Sequence, residues 1–543
     1  MLYTLAAVLF PLLASAINIC LPAKRKVAGW ISTTAILVSC VLAVSLFAQV
    51  WNNKQLHVQQ LWFTIGATKV FVGIWLNNLS VLMLALVSVI ALPVHIYSTS
   101  YMHHDDRFNR YFTYLSFFCF SMLALVVIDS LILFYAFWEL VGFSSYLLIG
   151  FWFIREKAAQ ASKKAFIMNR IGDVGLLSAI IILFAQYQTF DMVAIFGDGG
   201  LVENSYVHNG MWISPHGALP VALQYIIYAG IFLAVAAKSA QFPLHSWLPD
   251  AMEGPTSVSA LIHAATMVAA GVFLLGRVYP IFTADELDAF AMIGCFTAFM
   301  AATIALTQND LKRILAYSTI SQLGFMVMAM GIGAYSSSLF HLVTHAFFKC
   351  LLFLVAGIVI HEMQHIKDEN NLDINPQSIL YMGGLRKKMP VTCITAIIGA
   401  LALIGLPFTS GYLSKDGILI QAFEWAEGRE WYYKLVPFVA LVTTWLTAFY
   451  VARLIVKVFF GKFKLKLVNP DIKLHISDGG WKYQMPLLLL AACSMYPLFS
   501  SRALSYEDAW LLEGFNLGIH AERVDLYHAV IPAAVSILSV LLI

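Results

Sequence analysis

Long apolar stretches with few charges dominate this chain and recur along its whole length. They lie near 2–21, 27–49, 77–98, 111–128, 130–154, 165–186, 219–241, 254–276, 285–307, 313–333, 336–360, 389–412, 436–456, 483–500 and 526–543. A spanning helix needs about 20 apolar residues. The pattern therefore predicts about fifteen transmembrane helices, the twelfth continuing into a second piece at 413–427. In lipid, only helices and closed barrels satisfy their own backbone hydrogen bonds. The fold class is thus an all-α polytopic membrane protein. The loop at 50–76 is the exception: Trp62, Thr64, Lys69, Phe71 and Gly73 alternate as in a short surface hairpin.

Composition agrees. Of 543 residues, 60% are hydrophobic and 12% charged, against about 25% charged in a soluble domain. Mean hydropathy is +0.79. No room remains for a soluble cofactor-binding domain. A net charge of +3 gives no reason to expect a nucleic-acid partner. The seven cysteines form no Cys-x-x-Cys pair and sit in or beside apolar runs. They read as core thiols, because iron–sulfur or zinc ligation needs closer spacing. The first run has no basic lead-in and no small-residue cleavage site, so it reads as the first span and not a leader.

The basic residues orient the spans. With the N-terminus outside, the inner loops hold 22 of the 33 Lys and Arg and the outer loops 7. That asymmetry predicts an N-out, C-in topology. The remaining four, Arg170, Lys238, Lys349 and Lys415, fall within spans.

An ionisable side chain at mid-bilayer is costly and marks function when several occur together. The fifth run carries Glu139, the sixth Arg170 and Asp173, the seventh Lys238, the eighth His263, and the eleventh His341, His345 and Lys349. Lys415 stands beside Asp416. The eleventh-run trio is spaced i, i+4, i+8, which puts it on one helix face at about 6 Å per step. Taken singly, several have bland readings. Lys349 would snorkel, His263 would be a hydrogen-bonded structural histidine, and Arg170 and Asp173 would form an i, i+3 ion pair. Glu139 and Lys238 have no partner within their own runs. Together the set reads as a polar chain through the membrane, of groups suited to relaying protons.

Two runs are broken alike. Pro243, Pro249 and Pro255 follow Lys238, and Pro407 with Gly411 precedes Lys415. Proline cannot donate to the helix ladder, so both should unwind. Five-span units at spans 4–8 and 9–13 would each hold one break, and an odd count inverts the second unit. This predicts two inverted five-helix repeats with discontinuous helices along the ion path. The implied divisions are 1–110, 111–284 for the first repeat, 285–460 for the second, and 461–543. No Walker motif, dinucleotide fingerprint or nucleophile elbow is present. An ion gradient or partner subunits must therefore supply the energy.

The residues that carry a resemblance are AAKSAQFPLHSWLPDAMEGPTSVSALIHAATMVAAGVFLL (236–275), QNDLKRILAYSTISQLGFM (308–326), HLVTHAFFKCLLFL (341–354), MGGLRKKMP (382–390) and GYLSKDGIL (411–419). In these the chain closely resembles the antiporter-like membrane subunits of bacterial proton-pumping NADH:quinone oxidoreductase, respiratory complex I, and most of all its subunit L. The first motif belongs to a wider superfamily that includes multi-subunit cation/proton antiporters and membrane-bound hydrogenases.

The resemblance implies the following roles. Lys238 resembles the proton-accepting centre of a first half-channel, and Glu139 the carboxylate that modulates it. His263, His341 and His345, with Lys349, resemble a central relay, and Lys415 the lysine of a second half-channel. Asp173 and Asp310 resemble polar positions near the ion pair and the entry. It further implies a translocase subunit without redox chemistry of its own. FMN, iron–sulfur clusters and quinone would sit on partner subunits. Its partners would be other membrane-arm subunits, especially the sibling subunit M, together with lipids. Family members continue into a long lateral helix after the fifteenth span. This chain stops at Ile543 inside an apolar run, so that helix is expected to be absent, either naturally or because the C-terminus is missing. The rival readings are a subunit of a sodium or potassium/proton antiporter or related gradient-driven module, and a structural spacer of the membrane arm.

Overall fold

The computed structural model describes residues 1–543 except 23–25, 67, 469–471, 473, 516–533, 535–536 and 539–543. Helices account for most of it: α1 (Leu2–Cys20), α2 (Val27–Val50), α3 (Asn78–Tyr101), α4 (Phe108–Val127), α5 (Leu131–Ile149), α6 (Glu156–Tyr187) and α7 (Val221–Lys238). Then follow α8 (Thr256–Ala264), α9 (Met267–Arg277), α10 (Ala284–Thr307), α11 (Leu311–Gly331) and α12 (Tyr335–Glu369). The last are α13 (Pro390–Ile404), α14 (Ser410–Ala426), α15 (Leu435–Phe459) and α16 (Trp481–Cys493).

Among the described residues, twelve helical segments are long and apolar enough to cross a membrane, with α8 and α9 forming one of them, Thr256–Arg277. The expectation of fifteen differs at three places. Helix α13 is a half-length piece, closed by Gly405 at φ +86 before Pro407. Helix α16 has 13 residues and stops ahead of Pro497. The expected span at 526–543 lies almost wholly outside the described residues. The 56–76 hairpin forms as its alternation predicts, with β1 (Leu56–Ile65) antiparallel to β2 (Thr68–Leu76). A second small sheet, β3 (Tyr206–His208), β4 (Met211–Ser214) and β5 (Gly217–Pro220), occupies a loop with no clear sequence signal.

Lipid exposure is written on the helix surfaces. Along α6, Ile167, Ile171, Val174 and Ile181 are exposed, while Ala161, Ala165, Gly172, Asp173, Leu176 and Ala179 are buried. An apolar outside and a small, polar inside is the reverse of a soluble helix, and it suits a bilayer. The seven cysteines are all unpaired thiols.

The chain forms two compact units. The first is Met1–Leu92, His104–Trp247 and Thr266–Asp288, and the second is Pro93–His103, Leu248–Ala265 and Ala289–Ile543. In the first unit, backbone bridges join Ile74 to Ile128 and Ser130 to Asp191. The hairpin, the α4–α5 turn and the segment after α6 therefore share one face. On the other face Trp152 Nε1 donates to Asp105 Oδ2 at 3.0 Å, and Asn109 reaches the Pro22 carbonyl. Alternate turns on alternate faces are what successive crossings require. Helices α6 and α7 meet along a glycine seam. A Cβ on Gly175 would lie 2.8 Å from the Gly230 carbonyl oxygen, and one on Gly230 would strike the Gly175 carbonyl. Small residues let membrane helices close to backbone contact.

In the second unit, Ala291, Cys295 and Ala298 of α10 pack with Phe325, Met328 and Ala329 of α11 and Ile418, Leu419 and Ala422 of α14. Gly294 and Gly324 again allow close approach: a Cβ on either would lie 2.7 Å from the other's carbonyl oxygen.

Candidate functional site

Two clusters of buried polar groups form, one in each unit. In the first, Lys238 is the last residue of α7 and is fully buried. A helix C-terminus favours a cation. The chain from Ser239 to Ser246 is not helical, and its orphan polar groups are met locally. Trp247 Nε1 donates to the Ala237 carbonyl at 2.9 Å, the Gln241 amide to Ala236 at 2.9 Å, and Ser239 Oγ to Val268 at 2.7 Å. Such substitutes are what make an unwound segment tolerable at membrane depth. Lys238 Nζ has no hydrogen-bond partner among the described residues and lies 5.3 Å from the Trp138 ring centroid. Its acidic neighbours are Asp173 and Glu139. Trp138 Nε1 donates to Asp173 Oδ1 at 2.8 Å, which holds that carboxylate in place. A methyl at Gly142 would sit 2.8 Å from Nζ, so this glycine leaves room for the ammonium.

One expectation is corrected here. Glu139, without a partner in its own run, forms an ion pair with Arg170 across α5 and α6. Arg170 therefore does not pair with Asp173. The guanidinium reaches the neighbouring helix from the rim, with its side chain 44% exposed, whereas Asp173 turns inward and is 2% exposed.

In the second unit, α12 carries His341, His345 and Lys349, all fully buried. Lys349 does not snorkel, because it stands near the middle of a 35-residue helix. It donates to Ser318 and, at 3.4 Å, to the Leu315 carbonyl. The His341 and His345 ring centroids are 6.3 Å apart, as i, i+4 spacing predicts. His341 bonds Ser414 Oγ at 2.9 Å through Nδ1 and Gln322 Oε1 at 3.1 Å through Nε2. Ser414 in turn meets Thr344 at 2.8 Å. Neither ring nitrogen of His345 has a well-formed hydrogen bond, and the Ala264 carbonyl faces it. His263 stacks on Phe353 at 5.3 Å.

Lys415 lies in α14, past the break at 405–409, and donates to the Leu403 carbonyl at 2.6 Å. The end of one half-helix therefore binds the lysine of the next. Asp416 is buried, with one oxygen unpartnered. Asp310 caps α11, accepting from the Arg313 amide at 3.0 Å.

Two basic residues expected in loops are buried instead. Lys312 is 2% exposed and donates to the carbonyls of Met252 and, at 2.8 Å, Gly254, which the unwound stretch sets free. Arg277 ends α9 and donates to Asn77 Oδ1 at 3.1 Å, to Ser80 Oγ and to the Val126 carbonyl at 3.2 Å. The eighth span, expected to be continuous, is interrupted at Ala265–Thr266, two residues past His263. Nothing in the sequence marks Trp138, Gly142, Ser318, Gln322 or Ser414 as supporting groups. Each is a common residue in an apolar helix, and only helix packing shows what it touches.

A membrane helical bundle with interrupted helices and buried Lys, His and carboxylate groups defines the class: a polytopic antiporter-like membrane protein. The family model for "NADH:quinone oxidoreductase/Mrp antiporter, TM" matches residues 129–446, and the model for the N-terminus of complex I chain 5 matches 62–112. The chain belongs to this family. It is similar to NAD(P)H-quinone oxidoreductase chain 5 of Synechocystis sp., with 48% identity over 79% of this chain and 61% of the relative. It is 43% identical to subunit 5 of the Paulinella chromatophora chromatophore enzyme, over 87% of this chain and 71% of that one. Among solved structures, the Mrp complex from Dietzia sp. contains a chain matching 99% of this one and 55% of its own length, at 25% identity and TM-score 0.76. This chain thus spans roughly three fifths to seven tenths of the length of these two curated relatives.

Proposed function

We propose that this chain is a proton-translocating membrane subunit of a NAD(P)H:quinone oxidoreductase. Redox chemistry on partner subunits, which would carry the FMN, iron–sulfur clusters and quinone, drives protons through its Lys, His and carboxylate groups. The observation that carries this reading is Lys238. A fully buried ammonium site, without a hydrogen-bond partner and with Asp173 and Glu139 as its acidic neighbours, is poor architecture for stability alone. It is good architecture for a group that gains and loses a proton. Among the other buried atoms without a hydrogen-bond partner in the described residues, Glu139 Oε1, His263 Nδ1, Gln322 Nε2, both His345 nitrogens and Asp416 Oδ1 are places where water would complete a path.

The proposal includes two inverted five-helix repeats, one broken helix in each, with the N-terminus outside a bacterial inner membrane. The partners would be the other membrane-arm subunits, the sibling subunit M among them. Glu139→Gln tests the modulator role. It keeps the shape but loses the ion pair with Arg170. Proton translocation by the assembled complex in sealed vesicles should fall, though less than on losing Lys238, while quinone reduction continues. An unchanged rate would remove Glu139 from the mechanism.

A second reading is favoured by the likeness to the Mrp complex chain, which extends over almost the whole of this one. In that reading the subunit exchanges sodium or potassium for protons. Sodium-dependent proton flux without NAD(P)H would establish it.

A further inference from the structure

We propose that His57, Asp129 and Asp191 form a binding site for a divalent transition cation of the zinc class, on the hairpin-bearing face of the first unit. Each side chain offers one ligand atom, and the three atoms lie within 4.8 Å of one another. One imidazole nitrogen and two carboxylate oxygens are a donor set suited to Zn²⁺, with water in the fourth position.

The site is built and not an accident of surface charge. Asp129 is fully buried between α4 and α5, and its Oδ1 has no hydrogen-bond partner among the described residues. Its Oδ2 accepts the 2.9 Å contact from His57 Nε2 on β1. Asp191 uses one oxygen to cap the short helix that follows it, accepting from the Val193 amide at 2.8 Å. Its other oxygen is left for a ligand. The backbone fixes all three in advance. The bridges Ile74–Ile128 and Ser130–Asp191 bracket Asp129, and the Met192 amide donates to the Asp129 carbonyl at 2.8 Å. On β2, Gly73 lies against Asp129, and any side chain there would strike the carboxylate.

Charge favours the same conclusion. Two carboxylates around one imidazole leave an excess of negative charge beside a fully buried group. A divalent cation neutralises the pair, which a protonated histidine alone does not. His57 is 27% exposed, so an ion can enter from solution. Once bound, it would clamp the hairpin to the tips of α4, α5 and α6.

The test uses the purified full chain in mild detergent, stripped with chelator and titrated with Zn²⁺ against a chromogenic competitor. His57→Gln removes the nitrogen ligand at a partly exposed position. Asp191→Asn removes a charge while an asparagine still caps the helix. The wild type should bind one Zn²⁺ that both variants lose. The affinity loss should exceed the roughly 10–100-fold seen on losing an outer-shell partner. Zn²⁺ should also raise the Tm of the wild type and leave both variants unmoved. Wild-type protein that binds no zinc, or variants that bind it equally well, would reduce the cluster to a hydrogen-bonded Asp–His pair.

Discussion

Lys238→Ala in the assembled complex is expected to slow proton translocation through this chain about a hundredfold or more, the scale of a lost acid–base group. Quinone reduction should continue uncoupled from that step. The alanine leaves a small void where the side chain meets Trp138 and Gly142, so the fold should survive. Lys238→Arg sharpens the test. Arginine keeps the positive charge beside Asp173 and Glu139 but does not release its proton in proteins. If Lys238 were only a structural counter-ion, arginine would rescue pumping. If it relays protons, arginine should be nearly as defective as alanine. Proton-to-electron stoichiometry in sealed vesicles separates the two, and full pumping by the alanine variant would overturn the assignment. A structural spacer would instead show reduced assembly with unchanged stoichiometry.

The second large effect is expected from Gly230→Val. Its Cβ would occupy the place of the Gly175 carbonyl, and two further methyls have no room. Overpacking of this kind costs about 1–3 kcal/mol or more, because helices α6 and α7 must separate along the whole seam. Asp173 and Lys238 lie on those two helices, so the same substitution should move them apart. Thermal unfolding in detergent should shift to lower temperature, and the surviving complexes should pump poorly. Gly217→Ala serves as the control. It lies at a glycine with nothing within 4 Å of the added carbon, and it should leave both readouts unchanged.

Much of the fold was legible because bilayer physics is local. Apolar runs located the helices, alternation at 56–76 located the hairpin, and prolines located the unwound stretches after Lys238 and before Lys415. Spacing alone placed His341, His345 and Lys349 on one face, since i, i+4 geometry holds within any helix. What was not legible lies between elements. Arg170 has Asp173 within reach on its own helix, yet it pairs with Glu139 on another. Lys312 reads as a loop cation, because nothing in its own segment shows that Met252 and Gly254 present free carbonyls to it. The interruption at Ala265–Thr266 carries neither proline nor glycine, so no breaker announced it. The His57, Asp129 and Asp191 cluster joins three segments that lie far apart along the chain, and no spacing rule connects them.

The Arg170–Glu139 pair opens onto the same surface as the apolar residues Ile167, Ile171 and Val174. A charged pair half open on a hydrocarbon-facing helix acts as a port in an otherwise insulating wall. Lipid tails carry no field to it, so the pair is blind to the bilayer and responsive to any ionised group that a neighbouring protein brings alongside. An incoming carboxylate would draw the guanidinium outward and leave Glu139 facing Lys238 alone. An incoming cation would do the reverse. On the proposed function, a change of charge in a neighbouring subunit would be felt at Lys238 through this pair.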